Sequence, residues 1–234
     1  MITFNGIGIK DIAPVDIADI VVSTVRRSVV SRDRPILPGA EFVRVTDSTR
    51  QVTITLADRT SDMESRISEI EAINAWAATT EPGKLVLPYQ GGKYLNALCT
   101  SYVEPSYRQW WENKLKLVFT AYDPYFHAPA ENHVAIGTGA TVTFTGSAEP
   151  LVRIETTLEE AASSLVWSDG TNTLTLSGTI PVGTVTVDLN RQTVRHSNGT
   201  SLSSLITLAS HFPAITRKMT ITGPGTIYWR ERYV

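Results

Sequence analysis

From residue 129 to the C-terminus, no stretch of this chain runs far without a turn signal. Short runs rich in Val, Thr, Ile and Leu recur: "VTFT" from 142, "LVRIET" from 151, "SLVWS" from 164, "TLTLS" from 173, "TVTVDL" from 184, "TVRH" from 193, "LITL" from 205, "KMTITG" from 218 and "TIYWRERYV" from 226. Between them stand Asp169-Gly170, Asn198-Gly199 and Gly223-Pro224-Gly225, residue types that supply the special backbone angles of tight reversals. Runs this short and this closely punctuated predict strands, and many short antiparallel strands leave a sandwich or a barrel as the architecture. Asn198-Gly199-Thr200 matches a glycosylation acceptor, but residues 1–22 do not have the pattern of an export signal and the sequon is expected to be a turn.

The first 128 residues have a different texture. "ADIVVSTVRRSVV" (18–30) is rich in β-branched residues, and "RQVTITL" (50–56) alternates with the period of a half-buried strand. Between them, "SRDRPILPGAEF" (31–42) holds two prolines, a glycine and four charges. Proline removes a ladder donor, so this stretch reads as a long loop or extended arm. "SDMESRISEIEAINAWAATT" (61–80) predicts the one helix: Ser61 and Glu64 form a capping box, and Met63, Ile67, Ile70, Ile73 or Asn74, and Ala77 recur at helical spacing. "KLVLPY", a "QGGK" turn and "YLNALCTSYV" (84–103) read as a hairpin. "ENKLKLVFTAY" puts Leu115, Leu117, Phe119 and Ala121 on one face of a last strand. That strand runs into Tyr122-Asp123-Pro124-Tyr125-Phe126 on the seam between the two textures. Pro124 stops the strand there and pushes Asp123 toward extended backbone. The cluster reads as a hinge between domains 1–128 and 129–234, with a sugar-stacking platform and a catalytic acid at Asp123 as the competing readings.

Composition removes several function classes. Hydrophobic residues make up 42% and charged residues 19%, which fits a globular protein with sizeable cores. A formal net charge of −2 provides no cationic footprint for nucleic acid or a membrane surface. No apolar run approaches the roughly 20 residues that cross a bilayer, so folding in a cytoplasm is expected. The single cysteine, Cys99, excludes an internal disulfide and reads as a buried small hydrophobe. His127, His133, His196 and His211 have no metal-ligand spacing and read as surface residues.

Among carboxylates, Glu155, Glu159, Glu160, Asp169 and Asp188 lie in the β-rich half. Glu159-Glu160 reads as a solvated loop and Asp188 as a strand-end turn former. No catalytic, cofactor-binding or metal-ligating residue is assigned, and no cofactor or enzyme activity is expected. The aromatics are more informative. Trp110-Trp111 needs both faces covered to bury both indoles, and Trp229, alternating with Arg230 and Arg232, reads either as core-in packing or as a ligand-stacking surface.

In their order, "VFTAYDPYF" (118–126), "VDLNRQTV" (187–194) and the terminal "YWRERYV" resemble the distal tail protein (Dit), or siphovirus tail component, family of long-tailed bacteriophages. The resemblance covers essentially the whole chain. It implies a mainly β protein: an N-terminal β-sandwich-like ring domain (1–128) with one helix and a β-hairpin, then a C-terminal galectin-like β-sandwich (129–234). It further implies a structural hub of the tail tip or baseplate, a homo-oligomeric ring, usually a hexamer. Such a ring joins the tail tube protein to the tail-tip fibre or tail-associated lysin, and its outer domains can hold receptor-binding proteins. DNA would pass through only as cargo, no membrane is a partner, and the location is the virion tail tip after assembly in the host cytoplasm. The alternative, motivated by Trp229 and the Tyr122–Phe126 cluster, is a carbohydrate-binding module for host cell-wall polysaccharide.

Overall fold

Period-two stretches become strands and the single helical-period stretch becomes a helix. The computed structural model, which describes residues 1–33, 40–59, 62–103 and 114–234, divides into two units, Met1–Phe126 and His127–Tyr233.

The first unit contains β1 (Thr3–Phe4), β2 (Ile7–Gly8), β3 (Val15–Val22), β4 (Arg27–Asp33), β5 (Ala40–Asp47), β6 (Arg50–Asp58), α1 (Met63–Ala77), β7 (Gly83–Val86), β8 (Tyr94–Ser101) and β9 (Lys114–Ala121). One antiparallel sheet runs β2-β1-β7-β8-β9-β6-β3. Its buried face carries Val52, Ile54 and Leu56 of β6 beside Leu115, Leu117 and Phe119 of β9. The inward row of β6 goes further than the alternation in "RQVTITL" suggests, because Arg50 and Asp58 at its two ends are also buried.

Helix α1 spans 15 residues and is capped one residue later than expected. Asp62 is the N-cap, its carboxylate accepting the Ser65 N–H at 2.9 Å; Ser61 lies outside the described residues. The buried stripe is Arg66, Ile70, Ile73 and Ala77, while Met63 is exposed. An arginine takes the place expected of an apolar residue because the buried Asp58 stands 3.3 Å away. Asn74 also turns inward, its amide donating to the Val103 carbonyl and its carbonyl accepting the Val103 N–H. Trp76 donates to the Ile7 carbonyl at 3.1 Å and meets the rings of Phe4 and Phe119.

The hairpin expected at 84–103 is β7 and β8, paired from Gly83↔Ala97 to Val86↔Tyr94. Gly91 and Gly92 take the positive φ that its turn requires. The expected loop or arm at 31–42 is strand at both described ends. β4 and β5 pair antiparallel as a separate two-stranded ribbon, and residues 34–39 with Gly39 lie outside the described residues. Trp110-Trp111 lies outside them as well.

The two-residue β10 (Phe126–His127) leads into the second unit. That unit holds β11 (Asn132–Ala135), β12 (Ala140–Thr143), β13 (Ala148–Leu158), β14 (Ala162–Ser168), β15 (Thr173–Ile180), β16 (Gly183–Asp188), β17 (Thr193–His196), β18 (Lys218–Ile221) and β19 (Thr226–Tyr233). One layer runs β17-β16-β13-β19-β11; the other joins the pairs β12-β18 and β14-β15 through the Ser168↔Thr222 bridge. Ile154, Val185, Val187 and Ile227 of the first layer meet Trp167, Leu174, Leu176 and Ile221 of the second in one core.

Trp167 is fully buried, yet its indole N–H is satisfied by the Pro224 carbonyl at 2.9 Å. That contact needs the Gly223-Pro224-Gly225 turn pressed onto the core: a Cβ at Gly225 would stand 2.3 Å from the Glu155 carbonyl oxygen. "LITL" forms no strand. Ser203–Leu205 is a 3-10 turn, Ile206 makes a single bridge to Leu176, and Leu208 is fully exposed. β11 arises where no strand was marked.

Candidate functional site

In the first unit, hairpin pairing does not stop where the sheet stops. β3 pairs with β6 as far as Val22↔Val52. Ser23 N–H then donates to the Gln51 carbonyl, and the Gln51 N–H returns to the Ser23 hydroxyl, both at 2.8 Å. Arg26 N–H donates to the Ser48 hydroxyl at 3.0 Å, and Ser48 N–H to the Arg26 carbonyl at 2.9 Å. Pairing resumes at Arg27↔Asp47 and runs outward along β4 and β5. One long hairpin thus has its root in the sheet and its outer part beyond it.

Residues 27–32 and 43–46 are exposed throughout. Val29 and Val45 face each other across the strands and are 60% and 41% exposed; Val43, in the β-bulge, is 53% exposed. A two-stranded ribbon is only marginally stable alone in water, and among the described residues neither outer edge pairs with another strand.

The aromatic-proline cluster fastens the root of this ribbon. Tyr125 donates its hydroxyl to the Asp47 carboxylate, which also accepts from Arg27 Nε at 3.1 Å. These two donors, Tyr125 foremost, hold the Asp47 carboxyl below its ordinary range. Three residues on, the Arg50 guanidinium lies 5.1 Å from the Phe126 ring centre, a cation–π contact inside the core. Burial lowers the pKa of Arg50. Asp123 turns the chain between them by accepting the Tyr125 N–H at 3.4 Å, and Pro124 is buried. Tyr125 and Phe126 therefore grip both sides of the β5–β6 corner, which leaves only Tyr122 of the three aromatics exposed.

The other candidates have structural partners. Trp229 packs edge-on against Phe144 at the margin of the second core, with its indole nitrogen buried; it points inward. On the opposite face of β19, Tyr228 is covered by the Arg153 guanidinium at 4.6 Å and stacked by His133. Arg153 in turn bonds Glu131 and, at 2.7 Å, Glu155. Asp188 accepts the Arg191 N–H at 2.9 Å, the turn role expected of it. Asp169 accepts N–H groups from Thr171, Asn172 and Ala214; burial pushes its carboxyl up, but these donors together bring it down to about 2. Glu159 and Glu160 are exposed.

Two of the four histidines are not at the surface. His127 is buried, and so is His196, which bonds the Val182 carbonyl at 3.1 Å and accepts the Asn198 N–H. Cys99 is buried, and burial raises its thiol pKa. No group of three or more potential metal ligands occurs among the described residues.

No family model matches the chain, and no curated protein matches it in sequence. Among solved structures, the SPP1 Dit protein (gp 19.1), described as a paradigm of the hub adsorption apparatus in Gram-positive infecting phages, matches with a TM-score of 0.75 at 15% identity. The match covers 100% of this chain and 98% of that one. The two share one fold from end to end. The phage P2 baseplate in its activated conformation with Ca matches at a TM-score of 0.44 and 6% identity, over 92% of this chain and 90% of that one. Sequence reasoning missed the ribbon root, because Asp47, Ser48 and Arg50 look like an ordinary polar turn until Tyr125 and Phe126 are brought beside them.

Proposed function

We propose that this chain is a structural hub protein of a phage tail tip or baseplate. Copies of it close into a ring, six in the expected form, that joins the tail tube protein to the tail-tip fibre or tail-associated lysin. The second unit is the docking platform for receptor-binding proteins, and DNA passes through the ring as cargo. No catalytic step is part of this role.

One observation carries it: the first unit holds out a β-ribbon, hydrogen-bonded at its root, whose Val29, Val43 and Val45 are exposed and whose strands pair only with each other among the described residues. Such a surface is a hazard in a monomer and an asset in an assembly. The end-to-end likeness in fold to SPP1 Dit supports a hub as the kind of assembly. Cryo-electron microscopy of tail particles containing the chain tests the role directly, with a closed ring of copies at the junction of tube and tip expected. A chain found as single copies in assembled particles refutes it.

A further inference from the structure

Between the end of α1 and the start of β7, the first unit has an open hollow of about 690 Å³ beside the β1–β2 turn. Four side chains on its wall, Asn5, Thr79, Glu81 and Tyr102, keep groups that the fold does not use up. Asn5 and Gly6 make the two-residue turn between β1 and β2, with φ of +51° and +84°. The Asn5 side-chain oxygen accepts the Lys84 N–H at 2.9 Å, and the amide lies so close to Gly83 that a Cβ there would run into it. One orientation of the amide is thus fixed, and its NH₂ group finds no acceptor among the described residues.

Glu81 is exposed, and no described residue donates to its carboxylate. The Thr79 hydroxyl is buried and has no partner among the described residues. Tyr102 keeps 42% of its surface in solvent. No basic residue lines the hollow, and the last turn of α1 holds none either.

These groups select a ligand by elimination. An anion would meet Glu81 with no cation to offset the repulsion. A cation would suit Glu81 and the Tyr102 ring but would face the donating NH₂ of Asn5. An apolar molecule would strip water from the three polar groups and return no hydrogen bond. A neutral sugar satisfies all of them, since its hydroxyls both donate and accept and its C–H face can lie on an aromatic ring.

We propose that this hollow binds a neutral mono- or disaccharide. Glu81 accepts from the sugar hydroxyls, Asn5 donates to a neighbouring oxygen, and Tyr102 covers the apolar face. The Thr79 hydroxyl gains its missing partner by turning toward the ligand. A volume of about 690 Å³ is within the usual size of a small-molecule site. Glu81 is the one acid on the described wall, whereas glycoside hydrolysis needs two carboxylates flanking the bond, so the site binds and does not cleave. It uses neither Trp229 nor the Tyr122–Phe126 cluster, and it adds a binding function to the hub role without depending on ring closure.

NMR titration of the full ¹⁵N-labelled chain tests this, with glucose, galactose, N-acetylglucosamine, cellobiose and lactose as probes and methylammonium as the cationic control. At least one sugar is expected to shift the Asn5 side-chain NH₂ and the backbone amides of Thr79 and Gly83, with a millimolar Kd. Tyr102→Ala and Glu81→Gln alter exposed residues, so the fold, checked by circular dichroism, is retained. Each should weaken binding by about tenfold or more, as for loss of a ring contact or a charged acceptor. Asn5→Asp keeps the oxygen that Lys84 needs, removes the NH₂ donor and should weaken binding likewise. The proposal is overturned by a panel in which no sugar shifts these amides, or by an affinity unchanged in either Tyr102→Ala or Glu81→Gln. Methylammonium binding more tightly than every sugar overturns it too, by making the hollow a cation site.

Discussion

Replacing Arg66 by Met should destabilise the first unit far more than a surface charge change would. Arg66 reaches from α1 to Asp58 at the end of β6, with side chains only 9% and 0% exposed. An ion pair in water contributes about 0–1 kcal/mol. Removing one partner of a buried pair leaves a desolvated charge and costs about 3–5 kcal/mol. For a unit of this size, each kcal/mol moves the melting temperature by roughly 4 °C, so Arg66→Met should lower that transition by about 12–20 °C. The double variant Asp58→Val/Arg66→Met removes the stranded carboxylate and fills the space with apolar atoms. It should recover most of the loss, since apolar replacements of buried pairs are often neutral. Differential scanning calorimetry of the wild type, both single variants and the double variant closes the cycle. A loss below about 1 kcal/mol in Arg66→Met, or a double variant no better than the single, would refute the buried-pair reasoning.

Three further outcomes follow from the same geometry. Tyr125→Phe removes the foremost donor to Asp47, so the Asp47 carboxyl should rise toward its ordinary value of 3.8 and amide exchange at the ribbon root should quicken; an Asp47 titration by NMR unchanged from wild type contradicts this. Asp169, at about 2 in the folded chain against 3.8 ordinarily, contributes stability that is complete above 3.8 and lost as pH falls through about 2. Protection of the Ala214 amide, 2.7 Å from its carboxylate, should fade over that window in the wild type and be low at every pH in Asp169→Asn; equal protection in the two proteins argues against the anchor. Trp229→Phe should change stability by less than about 1 kcal/mol, because lost ring contact with Phe144 is offset by removing a buried indole N–H. A large loss in chemical denaturation would mean that this nitrogen has a partner.

Legibility followed the range of the interaction involved. The helix, the 84–103 hairpin and most strands after residue 129 were readable because periodicity and turn chemistry act within a few residues. Where a distant partner decides the matter, local rules failed. Arg66 sits on the buried stripe of α1 because Asp58 is beside it, and Met63, with better credentials, stays in water. "LITL" has the composition of a strand, yet of its residues Ile206 alone bridges a strand, and Leu208 is left in solvent. Two histidines that read as surface residues are buried, one of them held by the Val182 carbonyl.

The candidate site divides along the same line. Prolines in 31–42 pointed to a long loop or an extended arm; that both described ends of this stretch are paired strands emerged only from the register of β4 against β5. The Tyr122–Phe126 cluster announced itself as unusual, but its chain position says nothing of Asp47 or Arg50, 78 residues away from Tyr125 in the first case. By itself the amino-acid order determined a β-rich, two-textured chain without a metal motif or a second cysteine, since those properties are local or compositional. Tertiary structure alone decided which polar residues enter the cores, where the ribbon is rooted and which strand edge is left open. Burial, ion pairing and strand register are contests among distant segments, and only the folded chain brings those segments into contact.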